Sequence, residues 1–109
     1  MPTAYKVLGQ SAPSAITATT LYTVPSATET VISTITVCNR DATPGTFRIA
    51  IRPDGASLAN QHYIAYDVLL EGNSLQALTL GLTINAADVV TVYASSANLT
   101  FNAYGSEIS

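Results

Sequence analysis

The chain has 109 residues, enough for one domain built on a single core. Its net charge is −3 with four basic residues scattered along its length, which excludes a nucleic-acid binder, because phosphate recognition needs Lys and Arg gathered together. No apolar run approaches the ~18–20 residues of a membrane span. The opening Met1-Pro2-Thr3-Ala4-Tyr5-Lys6 lacks the basic-then-apolar order of a signal peptide, so synthesis and retention in a cytoplasm are expected unless the chain leaves inside a particle.

Taken in order, residues 3–10 alternate as an extended segment, with Tyr5, Val7 and Gly9 opposite Lys6, Leu8 and Gln10. Pro13 breaks it. A Thr-rich strand is expected over residues 16–24, ending at Pro25. A longer one follows over residues 30–39, apolar on both faces (Val31, Ile35 and Val37 against Ile32 and Cys38) and therefore central in its sheet. Residues 46–52 alternate cleanly, with Phe47, Ile49 and Ile51 on one side and Arg48, Ala50 and Arg52 on the other. The six residues Arg40-Asp41-Ala42-Thr43-Pro44-Gly45 between these two strands are turn formers, and the expectation is a β-hairpin.

Pro53-Asp54-Gly55 is a turn, and residues 56–61 are the one place for a helical turn. Residues 62–70 read as a strand with His62, Ile64, Tyr66 and Val68 on one side. Strands over residues 74–80 (continuing or bending through Gly81), 89–94 and 99–104 complete the chain. The last two, separated by Ser95-Ser96-Ala97-Asn98, are expected to pair as a hairpin. About eight short strands with turns every 8–12 residues and no amphipathic helix define an all-β fold. It is a single antiparallel β-sandwich domain over residues 1–109, immunoglobulin-like or jelly-roll, with a small closed barrel as the alternative.

Chemistry is sparse. The one histidine, His62, sits beside Tyr63 and Tyr66 in an alternating segment and reads as a structural or interface residue; a triad built from it with Asp67 and a serine has no support from spacing. One His and one Cys are too few for a metal centre, and no Asp-x-Asp-x-Asp run marks a calcium loop. The scattered carboxylates at turns suit backbone capping. Cys38 reads as a small buried hydrophobe. No catalytic residue, metal or cofactor is therefore expected. Six tyrosines without a tryptophan are more informative. Tyr63 and Tyr66 form a polar-aromatic patch with His62, and Arg48 and Arg52 project together from the wet face of their strand. These five are the candidate interface residues, since Tyr and Arg combine contact area with hydrogen-bonding tips.

Only 10% of the residues are charged, against roughly 25% in an ordinary soluble protein. A Thr- and Ser-rich, lightly charged surface suits packing against other protein, so a subunit of an assembly is expected.

Several stretches carry a resemblance: Tyr5-Lys6-Val7-Leu8-Gly9-Gln10-Ser11-Ala12-Pro13, Leu21-Tyr22-Thr23-Val24-Pro25, Val37-Cys38-Asn39-Arg40, Phe47-Arg48-Ile49-Ala50-Ile51, His62-Tyr63-Ile64-Ala65-Tyr66-Asp67, Leu80-Gly81-Leu82-Thr83, Asp88-Val89-Val90-Thr91-Val92-Tyr93-Ala94 and Tyr104-Gly105-Ser106-Glu107. Together they resemble small structural proteins encoded by tailed bacteriophages, including phages of cyanobacteria and other aquatic hosts. The resemblance implies a non-enzymatic virion component present in many copies. It would be a capsid decoration or cement protein that binds and stabilises the major capsid shell, or alternatively a tail, baseplate or fibre component used in attachment. Implied partners are the major capsid protein or tail and baseplate proteins, and further copies of the chain as a dimer or trimer. No nucleic acid or membrane is implied.

Overall fold

β-branched and aromatic residues at period two fold this chain into strands almost throughout. The computed structural model describes residues 2–109. The strands are β1 (Thr3–Ser11), β2 (Thr19–Thr23), β3 (Glu29–Asn39), β4 (Gly45–Arg52), β5 (Tyr63–Leu70), β6 (Leu75–Ile84), β7 (Val89–Ala94) and β8 (Leu99–Ile108). They form two four-stranded antiparallel sheets, with orders β1-β8-β3-β6 and β2-β7-β4-β5. Strand one pairs with eight, two with seven, three with six and four with five. That is one long hairpin doubled over on itself, the topology of a jelly roll. The closed-barrel alternative and the immunoglobulin-like order are not what the chain adopts.

Two expected hairpins do not form. β3 and β4 lie in different sheets, and so do β7 and β8. In each case the short loop carries the chain across the sandwich rather than back along one sheet. Among the described residues, only β4 and β5 are consecutive strands that pair. In place of one helical turn over residues 56–61 there are two 3₁₀ turns, Pro53–Gly55 before that stretch and Asn60–His62 overlapping its end.

β3 is interior, between β8 and β6, but its apparent double-sided apolarity has another cause. The register slips between Ile32 and Thr34 against both neighbours. This bulge at Ser33 brings Ile32 onto the same buried side as Ile35 and Val37. Cys38 falls on the outer side, half-exposed and opposite Thr100 and Leu75, so it is not the buried hydrophobe expected.

The core lies between the sheets. Phe47 of β4 and Phe101 of β8, both fully buried, meet edge to face across it, with ring centroids 6.1 Å apart. Ile32, Ile35, Val37, Ile49, Val90, Val92 and Leu99 fill the space around them. At the β1–β2 margin the backbones come so close that a Cβ on Gly9 would sit 2.2 Å from the Leu21 carbonyl oxygen. Only glycine fits there.

Asn39, 1% exposed at the end of β3, ties two loops together. Its Nδ2 donates to the carbonyls of Thr43 (3.0 Å), Leu70 (3.3 Å) and Glu71 (3.3 Å), and its Oδ1 accepts from the Asp41 N–H at 3.0 Å. The β3–β4 crossing and the β5–β6 turn are thereby pinned to one side chain.

Candidate functional site

The outer face of the β2-β7-β4-β5 sheet collects most of the distinctive chemistry. The clean alternation of β4 sends Arg48 outward, directly opposite Tyr93 of β7. On its other side, β5 is bulged. Phe47 pairs with Val68 and Ile49 with Ala65, so Arg48 faces two residues, Tyr66 and Asp67. Asp67 takes up the extra length in a left-handed conformation, φ 49°, which Asp tolerates better than most residues. The bulge breaks the alternation expected for residues 62–70. Ala65 and Val68 pack on the core, while Tyr66 and Asp67 turn outward together.

The result is a row across three strands. The Arg48 guanidinium binds Asp67 through two hydrogen bonds, Nε to Oδ1 at 2.6 Å and Nη2 to Oδ2 at 3.3 Å. It lies 4.2 Å from the Tyr66 ring centroid and 4.3 Å from that of Tyr93, a double cation–π contact. Tyr63 meets Tyr66 edge to face at 4.9 Å. The hydrogen bond to Asp67 raises the Arg48 pKa above its already high ordinary value, so the cation is permanent. Its carboxylate partner belongs to its own chain.

Arg52, expected to act beside Arg48, does something else. Its Nε donates to Thr91 Oγ1 and its Nη1 to the Ala56 carbonyl, each at 3.0 Å. It straps residues 53–62 over the same face, where Ala50 and Thr91 are buried. His62 closes that strap. It is 9% exposed and its Nδ1 accepts from the Ala59 N–H at 3.0 Å, a structural role. Of the five candidate residues, Arg48, Tyr63 and Tyr66 form one surface cluster, and Arg52 and His62 hold the loop beside it. Asp67 and Tyr93 complete the cluster, and sequence reasoning missed both. Tyr93 is far away in the chain, and only the strand order brings it opposite Arg48.

A second polar cluster is structural. Tyr22 donates its hydroxyl proton to Glu107 Oε2 at 2.5 Å and shares a 2.8 Å hydrogen bond with Thr30, while Lys6 pairs with Glu107 Oε1 at 2.7 Å. Burial, aided by the Glu107 carboxylate, pushes Tyr22 up to about 12. Lys6, then Tyr22, holds Glu107 below the usual carboxylate range. A cleft of about 410 Å³ opens at one end of the sandwich near Glu29, Asn85, Asp88 and Ile108. The Asp88 oxygens there accept the backbone N–H groups of Asp54 and Asn85, both at 2.8 Å.

The outer face of the other sheet differs in kind. Its registered rows read Tyr5–Ser106–Val31–Thr83, Val7–Tyr104–Thr34–Thr79 and Gln10–Asn102–Thr36–Ala77. No ionisable acid or base other than tyrosine occurs in them. Tyr5 is 85% exposed, and Leu75 on the same face is 67% exposed.

Among the described residues, no group of three or more His, Cys, Asp or Glu side chains could hold a metal ion, and no helix is long and apolar enough to cross a membrane. No protein-family model, curated protein or solved structure matches the chain.

Proposed function

We propose that this chain is a structural subunit of a tailed-bacteriophage particle, a decoration or cement protein that binds the major capsid shell and acts mechanically rather than by catalysis. The observation that carries the reading is the outer face of the β1-β8-β3-β6 sheet, whose three registered rows from Tyr5–Thr83 to Gln10–Ala77 hold no charge, with Glu29 at the end of the face opposite Ile108. Four strands ~4.8 Å apart and about 30 Å long present roughly 600 Å². With a partner's matching surface this makes about 1,200 Å², the lower bound of a stable protein interface. Uncharged hydroxyl, amide and aliphatic side chains desolvate at small cost compared with Lys or Glu. The jelly-roll order supports the reading, since viral shell proteins use that architecture. The phage attribution itself rests on the sequence resemblance. In this reading the chain is made in the host cytoplasm, joins the virion, and associates with further copies about a local symmetry axis.

The second reading, a tail, baseplate or fibre component, is favoured by the exposed Tyr66 and Arg48 cluster on the opposite face. Quantitative mass spectrometry of purified particles separates the two. A copy number near that of the major capsid protein, or a simple fraction of it, supports shell decoration. A few to a few dozen copies moves the chain to the tail. Thr36→Lys with Ala77→Glu would place charges in the middle of the neutral face, and the decoration reading expects loss of binding to shells with the melting temperature unchanged.

A further inference from the structure

We infer that the Arg48–Asp67–Tyr66 cluster is a binding site for neutral saccharides. This inference does not depend on where the protein sits in a particle, because it uses the opposite sheet face from the one assigned to assembly.

The cluster has the two things that recognise a pyranose ring: apolar aromatic surface for its C–H groups, and paired planar hydrogen-bonding groups for its hydroxyls. Tyr66 is 57% exposed. Asp67 and Arg48 side chains are 45% and 23% exposed, so the ion pair is reachable by solvent. A guanidinium carries five N–H donors. Two of those on Arg48 point at Asp67, which leaves others for a ligand hydroxyl, and the Asp67 oxygens retain lone pairs to accept from one. Adjacent donor and acceptor groups in one plane match a vicinal diol.

The charge balance selects the ligand class. Arg48 is neutralised in place by its own carboxylate, so a phosphate or sulfate would meet Asp67 as well as Arg48. A neutral ligand meets no such repulsion. The geometry is also preset. The guanidinium is held by rings on both sides, at 4.2 Å and 4.3 Å, and Asp67 is aimed by a left-handed residue inside a bulge. A flat, shallow site of this design binds weakly per copy, and many copies on one particle would multiply it.

The test is an NMR titration of the intact chain with maltose, cellobiose, N,N′-diacetylchitobiose and dextran, with dextran sulfate as the matched charged polymer. At least one neutral saccharide is expected to shift the Arg48 Nε–H and the Tyr66 and Asp67 amides, with dextran sulfate binding no tighter than dextran. Tyr66→Ala should weaken that binding roughly tenfold while the rest of the spectrum stays folded. Asp67→Asn, which keeps a residue type that accepts the left-handed backbone, should weaken it too and bring on binding of dextran sulfate. No shift with any neutral saccharide, undiminished binding by Tyr66→Ala, or a wild-type preference for dextran sulfate would each overturn the proposal.

Discussion

Replacing Asn39 with Ala should be among the most damaging single changes outside the aromatic core. The side chain contacts four backbone groups of two different loops, its two N–H protons shared among three carbonyls and its Oδ1 accepting from Asp41. Ala removes all of these contacts and leaves the Leu70 carbonyl, in a buried setting, without its Nδ2 donor. A typical net contribution is about 1 kcal/mol per hydrogen bond, and a buried acceptor left bare costs about 1–3 kcal/mol. The carbonyls of Thr43 and Glu71 are only partly buried and recover water, so the sum is held to about 3 kcal/mol. For a domain of this size that lowers Tm by roughly 12–24 °C, at about 4–8 °C per kcal/mol. Urea unfolding followed by circular dichroism gives the free energy, and hydrogen exchange should show faster exchange at the Asp41 amide. A loss below about 1 kcal/mol, with Asp41 still protected, would refute the argument that one side chain holds both loops.

Two further outcomes are expected. Glu107 has a lowered folded-state pKa, so its contribution to stability is present above the unfolded carboxylate range and is lost as pH falls through the folded value. Tyr22 is raised to about 12, so its contribution is full below the ordinary tyrosine value of about 10 and is lost between there and about 12. Denaturant midpoints measured across pH should therefore fall at both ends, and Glu107→Gln should flatten the acid limb. Gly9→Ala puts a methyl group 2.2 Å from the Leu21 carbonyl oxygen and should cost about 1–3 kcal/mol by thermal melting, whereas Gly81→Ala, with open space but φ +64°, should cost about 1 kcal/mol through backbone conformation alone.

How much of this was readable in the residues follows from range. Strand positions came from local alternation, and the turns from Pro, Gly, Asn and Asp, so eight strands and a sandwich were within reach. Partners were not. Five loop residues between β3 and β4 suit a hairpin and a crossing between sheets equally well; the crossing is secured by Asn39 reaching Leu70 and Glu71, which no window around residue 40 contains. Bulges were hidden for a related reason. Ser33 and Asp67 are not glycines, so nothing marked the slips that turn Ile32 inward and Asp67 outward. The residues paired Tyr63 and Tyr66 with His62 and Arg48 with Arg52; Arg48 joins the two tyrosines only through the β4–β5 pairing, which local alternation did not reveal. Arg52 and His62 shared their neighbourhood but serve the loop.

The strand order also governs how the molecule comes into being. β8, the last strand, lies between β1 and β3, and β7 lies between β2 and β4. A nascent chain that has emerged only as far as residue 88 therefore has its first and third strands, and its second and fourth, separated by gaps that nothing yet fills. Neither sheet can close until the final strands leave the ribosome, and the pairings that then form are among the longest in range that the chain allows. β3 with β6 and β4 with β5 can pair before then, but the gaps beside them are filled only when β7 and β8 arrive. Truncation anywhere before Leu99 should give not a smaller sandwich but a chain with hydrophobic strands exposed.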